Sequence, residues 1–422
     1  THFSYLYILL LLISFSSKAQ VNLDSLWGVW NEKTQPDTNR LKAMKSIAYD
    51  GYLFSQPDSA FYFAQMGYDF AEARNNKKWM ATSLNMQGSS FYLKGYYEKA
   101  LQYYSKSLSI SKEIDDKKGM GGSYNNIGVI YTNQANYEKA LEYYSKSLAI
   151  DKELGDKKGM ADSYNNIGII YRNQGNYEKA LEYYSKSLAI DKELGDKNGM
   201  GGSYNNIGLI YWKQGNYEKA LEYYSKSLAI KQEIDDKKGM GNSYHNIGII
   251  YQDQGNYEKA LEYYSKSSAI DKELGDKKGM GSSYNNIGLI YQEQGNYEKA
   301  LEYFSKSLKI KEEIGDKKGM GSSYNNIGLN YRDQGNYEKA LDYLLKSKNI
   351  NQEINAIEAL DETSEALSEV YKKLGKYKQA LEMHELYMET KDSIAKMDAE
   401  EELYKFEVDK EYQLKKQADS IL

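Results

Sequence analysis

The sequence predicts an all-α solenoid, and three observations carry the prediction. The chain repeats itself every 40 residues, each repeat holds two apolar stripes of helical period, and only two prolines occur in 422 residues. Six consecutive blocks from Lys117 to about Ala356 are near copies; the block at Lys157 reads KKGMADSYNNIGIIYRNQGNYEKALEYYSKSLAIDKELGD. A fixed period of this length marks stacked units, each able to bury its apolar face only against its neighbours. Chain length therefore says little about domain number, because the core grows with copy number. A solenoid offers an extended concave surface, so binding is the function class it favours, and catalysis needs evidence of its own.

Taken in order, the chain opens with an apolar run, Tyr5 to Phe15 (YLYILLLLISF), followed by Ser16-Ser17-Lys18-Ala19-Gln20. Eleven residues fall short of the roughly 20 that a membrane-spanning helix needs. They have the length of a signal-peptide core, and Ser17 and Ala19 supply small residues ahead of cleavage before Gln20. Residues 1–19 are therefore expected to be a signal peptide that has lost its basic start and initiator Met, and the mature protein to be extracytoplasmic, periplasmic or secreted. Residues 20–37 are read as a lead-in. Residues 38–76 are read as a degenerate, capping helix pair whose second helix opens at Pro57-Asp58, where proline and an acid suit the first turn. Residues 77–356 hold seven repeats, and residues 357–396 a divergent last one, as capping units tend to be. Residues 397–422 are a charged helix with a thin apolar seam at Leu403, Phe406 or Val408, Tyr412, Leu414 and Ala418. That seam gives the helix a coiled-coil option and the chain an option to pair as a homodimer.

Within the block at Lys157, Tyr164, Ile167, Gly168 and Tyr171 recur at three- and four-residue steps on a first helix. Gly175-Asn176 breaks it, and Tyr177, Ala180, Leu181, Tyr184 and Leu188 mark a second. Gly195 suits a left-handed cap, and Asp196 can cap the next helix. Glu182 and Lys186 form an exposed i,i+4 pair worth a few tenths of a kcal/mol. Glycine in a helix interior costs about 1 kcal/mol relative to alanine. Its return at Gly128, Gly168, Gly208, Gly248, Gly288 and Gly328 therefore implies close helix packing.

The order large–x–x–Ile–Gly–x–x–Tyr followed by Ala–x–x–x–aromatic resembles the tetratricopeptide repeat (TPR), through Tyr164, Ile167, Gly168, Tyr171, Ala180 and Tyr184. Ser187 replaces the usual small alanine late in the second helix, and Lys192 stands where the shorter repeat often has proline. The 40-residue period is similar to the long repeats of kinesin light chains and spindle-orientation adaptors, and to the sensor portions of bacterial signalling proteins. The resemblance implies a TPR superhelix over about residues 38–396. With the export signal and the charged C-terminal helix, it implies a non-enzymatic protein- or peptide-binding scaffold. That scaffold would be the ectodomain of a membrane-anchored signalling protein, its membrane segment and any catalytic output lying beyond residue 422. A free periplasmic or secreted adaptor is the alternative.

Composition narrows the chemistry. Net charge is −5 with acids and bases interleaved, and no basic stripe marks a nucleic-acid binder. Cysteine is absent, which removes disulfides, thiolate metal sites and a Cys nucleophile. The three histidines, His2, His245 and His384, are scattered and read as ordinary substitutions. Asp151, Glu153 and Asp156 read as caps and solvated charge, lacking the ligand pattern of a calcium loop. Stretches such as Gly119 to Gly122 lack the Gly-Lys-Ser/Thr ending of a phosphate loop and read as flexible inter-repeat joints. No cofactor or metal is implied.

What remains is an asparagine ladder. Asn-Asn, or His-Asn once, precedes each Ile-Gly, with Asn126, Asn166, Asn206, Asn246, Asn286 and Asn326 as the second members. Asparagine costs a helix about 0.6 kcal/mol relative to alanine, so something compensates it six times over. The family resemblance places these second members on the concave face, where TPR adaptors hold a peptide backbone. The other reading has them tie adjacent repeats together. Three and four residues beyond the next apolar position lie the variable residues Thr132, Arg172, Trp212, Gln252, Gln292 and Arg332 with their followers, on the same helix face. They would supply selectivity, unless the variation is neutral drift after duplication. Six hydrogen bonds at about 1 kcal/mol each are largely consumed by association and ordering costs. Tight binding would then need anchors, for which Trp212, Arg172 and Arg332 are the candidates.

Overall fold

The computed structural model describes residues 22–421, and among them the only regular structure is helical: nineteen α-helices and one π-helical turn. They begin with α1 (Leu23–Asn31), α2 (Asp37–Ser46) running into the π turn Ile47–Tyr52, and α3 (Pro57–Glu72). The repeats follow as pairs: α4 (Lys77–Leu93) with α5 (Tyr97–Glu113), α6 (Lys117–Asn133) with α7 (Tyr137–Leu154), α8 (Lys157–Asn173) with α9 (Tyr177–Leu194), and α10 (Lys197–Lys213) with α11 (Tyr217–Glu233). Then come α12 (Lys237–Asp253) with α13 (Tyr257–Leu274), α14 (Lys277–Glu293) with α15 (Tyr297–Glu313), α16 (Lys317–Asp333) with α17 (Tyr337–Glu353), and α18 (Ile357–Lys373) with α19 (Tyr377–Ile421). This helix-turn-helix pairing is the architecture the period predicts. The signal-peptide segment, residues 1–19, lies outside the described residues. The chain divides into two compact units, Thr1–Gly199 and Met200–Leu422.

Each turn is set by local chemistry. Gly175 and Gly195 take left-handed φ of 72° and 66°, a region open to glycine at little cost. Asn176 and Asp196 then cap the next helices, accepting from Lys179 N at 3.1 Å and from Gly199 N at 3.1 Å. Inside the pair, Gly168 is required: a Cβ there would stand 2.7 Å from the ring of Tyr184, which is fully buried. Ser187 has its own reason to replace alanine. Its hydroxyl donates to Ala161 O at 3.0 Å, pinning the second helix to the first.

In the first unit, Trp30, Met44 and Ile47 pack with Trp27, Phe63 and Phe70 to close the N-terminal end. The lead-in is thus partly structured, since α1 lies inside residues 20–37. Its apolar Leu23, Leu26, Trp27 and Trp30 needed a partner surface that the sequence pattern did not reveal. Further along, Ala100, Tyr104, Ile127 and Ile130 join α5 to α6. In the second unit the same core recurs between successive repeats, with Ala220, Tyr224, Ile247 and Ile250 joining α11 to α12 and Ala340, Leu344, Leu367 and Val370 joining α17 to α18. Burying one such side chain contributes about 1.5–3 kcal/mol.

One expectation changes. The GMGG stretches are not joints: Gly119 to Gly122 is the first turn of α6, and its equivalents open α8, α12, α14 and α16. The last repeat and the charged segment share one helix, since α19 runs unbroken from Tyr377 to Ile421. Neither glycine nor proline occurs between those residues to stop it.

Candidate functional site

The first helices of successive repeats lie side by side, as α4 with α6 and α6 with α8 in the first unit, and α14 with α16 and α16 with α18 in the second. Along this face the asparagines bond to one another. Asn126 Nδ2 donates to Asn85 Oδ1 at 2.8 Å, and Asn166 Nδ2 to Asn125 Oδ1 at 2.9 Å. In the second unit Asn246 donates to Asn205, and Asn326 to Asn285, both at 2.9 Å. His245 occupies the place of a first Asn, with Asn286 Nδ2 3.5 Å from its Nε2; it is a working member of the ladder. Asn206 is engaged as well. Every second Asn with a described partner of this kind therefore ties its repeat to the one before. This is the structural reading of the ladder, in visible geometry. An amide has two N–H donors and an acceptor oxygen, so a bond of this kind leaves capacity, and Asn126, Asn166, Asn246 and Asn286 remain half-buried rather than sealed.

The variable neighbours are also occupied by the chain itself. Trp212 Nε1 donates to Asp253 Oδ2 at 2.6 Å and Gln292 Nε2 to Asp333 Oδ2 at 2.9 Å, each reaching one repeat onward. Arg332 holds Asp333 and, at 3.1 Å, Glu369. Arg172 hydrogen-bonds Asn173, and Gln252 accepts from Tyr264 Oη at 2.9 Å. An anchor already paired must give up that pair to grip a ligand, which lowers its net contribution.

A large concavity runs along the first-helix face of the first unit. It is a groove of about 1060 Å³ bounded by α2 and its π turn, α4, α6 and α8, with Ser107 and Ser111 of α5 behind. Asn85, Asn126, Thr82 and Ser89 line its middle, Lys42, Lys45, Tyr49 and Asp50 one end, and Asp116, Gly119, Gly122 and Asp162 the other; Trp79 enters from α4. Of the asparagines singled out from the sequence, only Asn126 reaches it.

The tetratricopeptide repeat profile matches seven overlapping windows, residues 79–153, 119–193, 159–233, 199–273, 239–313, 279–353 and 319–393. The chain belongs to the tetratricopeptide repeat family. No curated protein matches it. Solved TPR structures do, at the level of fold. A signal transduction ATPase with numerous domains and a TPR sensor, from Pyrococcus horikoshii, aligns with TM-score 0.60 and 20% identity over 90% of this chain and 53% of that one. The apo form of the quorum sensor NprR from B. thuringiensis gives 0.58 and 16% over 78% and 91%. A Rap protein complexed with competence and sporulation factor gives 0.56 and 18% over 86% and 99%.

Within this TPR framework the helix-starting glycines have a use that the sequence alone did not show. Each second helix ends in a residue wedged between first helices: Ser111, Asp151, Asp191, Lys231, Asp271, Lys311 and Asn351 in turn. A Cβ at Gly159 would lie 2.6 Å from Asp151, and one at Gly279 2.6 Å from Asp271. So Asp151 is a buried group rather than solvated charge, whereas Asp156 is the cap expected of it, accepting from Gly159 N at 3.0 Å. Burial raises the carboxyl of Asp151, opposed by a hydrogen bond from Ser163. Burial and the nearby Asp276 push Asp271 up to about 6. Burial lowers Lys311, whose ammonium donates to Ser323 Oγ at 3.1 Å. Among the described residues no group of three or more His, Cys, Asp or Glu is placed to hold a metal ion, and no helix is long and apolar enough to cross a membrane.

Proposed function

We propose that this TPR protein is a binding scaffold that receives an extended peptide or protein segment across the first-helix face of its first unit. The observation that carries this is the groove across α2, α4, α6 and α8, which places Asn85, Asn126 and several hydroxyls where a backbone can lie. A main chain offers a donor and an acceptor at each residue, and amides answer both. The likeness in fold to a Rap protein complexed with competence and sporulation factor supports the same reading. Gly122 provides the test. It lines the groove, is exposed, and a Cβ there meets nothing within 4 Å. Gly122→Trp should fill the groove while the helical circular dichroism and melting temperature stay as in the parent. Peptides selected from a random octapeptide display library against the parent should then fail to bind the variant. If they bind both proteins equally, the groove is not the site.

The reading extends to location. The apolar run Tyr5 to Phe15 supports export, and the charged α19 supports a role as the ectodomain of a membrane-tethered signalling protein. Expression of the intact reading frame should yield an extracytoplasmic protein whose first residue is Gln20. A cytoplasmic product retaining Tyr5 to Phe15 would end the export reading. An apolar stretch of about 20 residues soon after codon 422 favours the ectodomain, and a stop codon there the free adaptor. Pairing through α19 predicts a dimer in sedimentation equilibrium that becomes a monomer when residues 397–422 are removed.

A further inference from the structure

In a chain of near copies, the positions that break the copy are informative, and in the first unit they gather in the groove. Trp79 stands where the next six repeats have Gly119, Gly159, Gly199, Gly239, Gly279 and Gly319. Asp162 stands where the others have Gly122, Gly202, Asn242, Ser282 and Ser322. Lys42, Lys45 and Tyr49 come from the divergent first pair. All five line the same concavity.

Their charges are sorted by end. Lys42 and Lys45 are exposed and make no ion pair among the described residues, with only Asp50 of opposite sign beside them. At the far end Asp162 is exposed on α8 and Asp116 sits at the start of α6. Lys78 approaches Asp116 at 3.7 Å, and Lys158, one turn before Asp162, is bonded to Asp196 at 3.2 Å. Asp162 is therefore left without an ion pair of its own. Behind this end lies Ser111, wholly buried, its Oγ without a hydrogen-bond partner among the described residues. A buried hydroxyl normally finds a partner, and a ligand group entering here would supply one. Gly122 keeps the wall open beside it.

We propose that the groove is directional, binding an extended peptide with its positive end, an ammonium or guanidinium, at Asp162, Asp116 and Ser111, and its carboxylate end over Lys42 and Lys45. Trp79 and the amides of Asn85 and Asn126 hold the middle. The inference rests on the peptide-binding reading and adds polarity and charge to it. Helix neighbours pack about 8–10 Å apart, so the three steps from α2 to α8 span about 25–30 Å, or about eight extended residues at about 3.3 Å each. Charge at both ends steers the ligand and rejects the reversed one, because like charges then meet.

The experiment uses two synthetic octapeptides with terminal blocking groups and the same Ser-Ala middle: one carries Arg at its amino end and Glu at its carboxyl end, the other the reverse. A third, all Ser and Ala with free termini, separates terminal charges from side-chain charges. Binding is followed calorimetrically at low and high salt. The first peptide should bind about tenfold more tightly than its reverse, a preference that fades as salt screens it. Asp162→Asn, which installs the residue already present at 242, should narrow that preference by weakening the first peptide and relieving the like-charge repulsion of its reverse. Lys42→Gln with Lys45→Gln should do the same from the other end. Tight binding of the free-termini peptide assigns the recognised charges to chain ends, and its failure beside tight binding of the first assigns them to side chains. Equal affinity for both orientations overturns the polarity while leaving the groove reading standing. No binding by any peptide overturns both.

Discussion

The carboxyl of Asp271 shows how a repeat junction acquires a pH dependence. Held at about 6 by burial and by Asp276, it binds a proton more readily folded than unfolded, where a free aspartate titrates near ~3.9. Between those values the native state carries more protons, so stability falls as pH rises and is recovered on acidification. Asp271→Asn should raise the melting temperature at pH 7.5 and flatten its rise between pH 6.5 and 4.5. The substitution has a native precedent: Asn351 fills the equivalent place with bonds to Ser347, Ala359 and Thr363. A fall in stability at pH 7.5 would show that the carboxylate is a net favourable partner there. His245 works in the opposite sense. Burial lowers its pKa, so the folded state resists protonation and stability is lost as pH falls below the ordinary histidine value of about 6.5. His245→Asn, restoring the ladder residue of the other repeats, should remove that loss in melts recorded from pH 7.5 to 5. Backbone strain is the third residue-level effect. Ala135 takes φ 54° at a turn where Gly175, Gly215, Gly255, Gly295, Gly335 and Gly375 stand in other repeats. A left-handed conformation costs a non-glycine residue about 1 kcal/mol, so Ala135→Gly should stabilise the protein by about that amount in urea titrations.

At the scale of the helix, the asparagine ladder decides how much of the site was legible. The sequence placed Asn126, Asn166, Asn206, Asn246, Asn286 and Asn326 on one helix face, because three- and four-residue spacing is a local property. Their partners were not legible. The bonds join residues 41 apart, as in Asn166 to Asn125, and depend on how far each first helix is shifted against the next. For the same reason Asn85 was overlooked: its block reads Asn85-Met86 rather than Asn-Asn, yet Asn85 accepts the bond from Asn126. Groove residues such as Trp79 and Asp162 were hidden because a concavity is made by several helices at once. The glycine runs misled for a different reason. Their low helix propensity argues for a joint, but close packing against Asp151, Asp271 and their equivalents overrides propensity. The ladder bond can be measured by a double-mutant cycle on Asn246 and Asn205. Each alanine variant should lose about 0.5–1.5 kcal/mol, offset by about 0.6 kcal/mol of helix propensity, and the pair should be coupled. Additive losses would mean that the two amides act separately.

For the molecule as a whole, the period makes a stronger demand than any single bond. A stack in which each repeat touches only its neighbours has a stability close to a sum of repeat and interface contributions, and the interfaces here are nearly interchangeable. Residues 237–276 are one full period inside the second unit, from the first residue of α12 to the cap Asp276, whose counterpart Asp236 caps α12 itself. Removing them joins Asp236 directly to Lys277, so the cap, the helix start and the buried wedge position are all kept. The wedge beneath α14 changes from Asp271 to Lys231, a residue the fold already accepts there, where it reaches its own cap Asp236 at 2.9 Å. The ladder also closes again, because Asn286 would face Asn205 in place of His245. The shortened protein should therefore remain fully helical and unfold cooperatively. Its urea m-value should drop in proportion to the surface removed, and the opposed pH-dependent contributions of His245 and Asp271 should vanish together. A molten or aggregated product would show that the deleted repeat is not equivalent to its neighbours. The stability of the second unit would then depend on something particular to His245 and its surroundings rather than on the period.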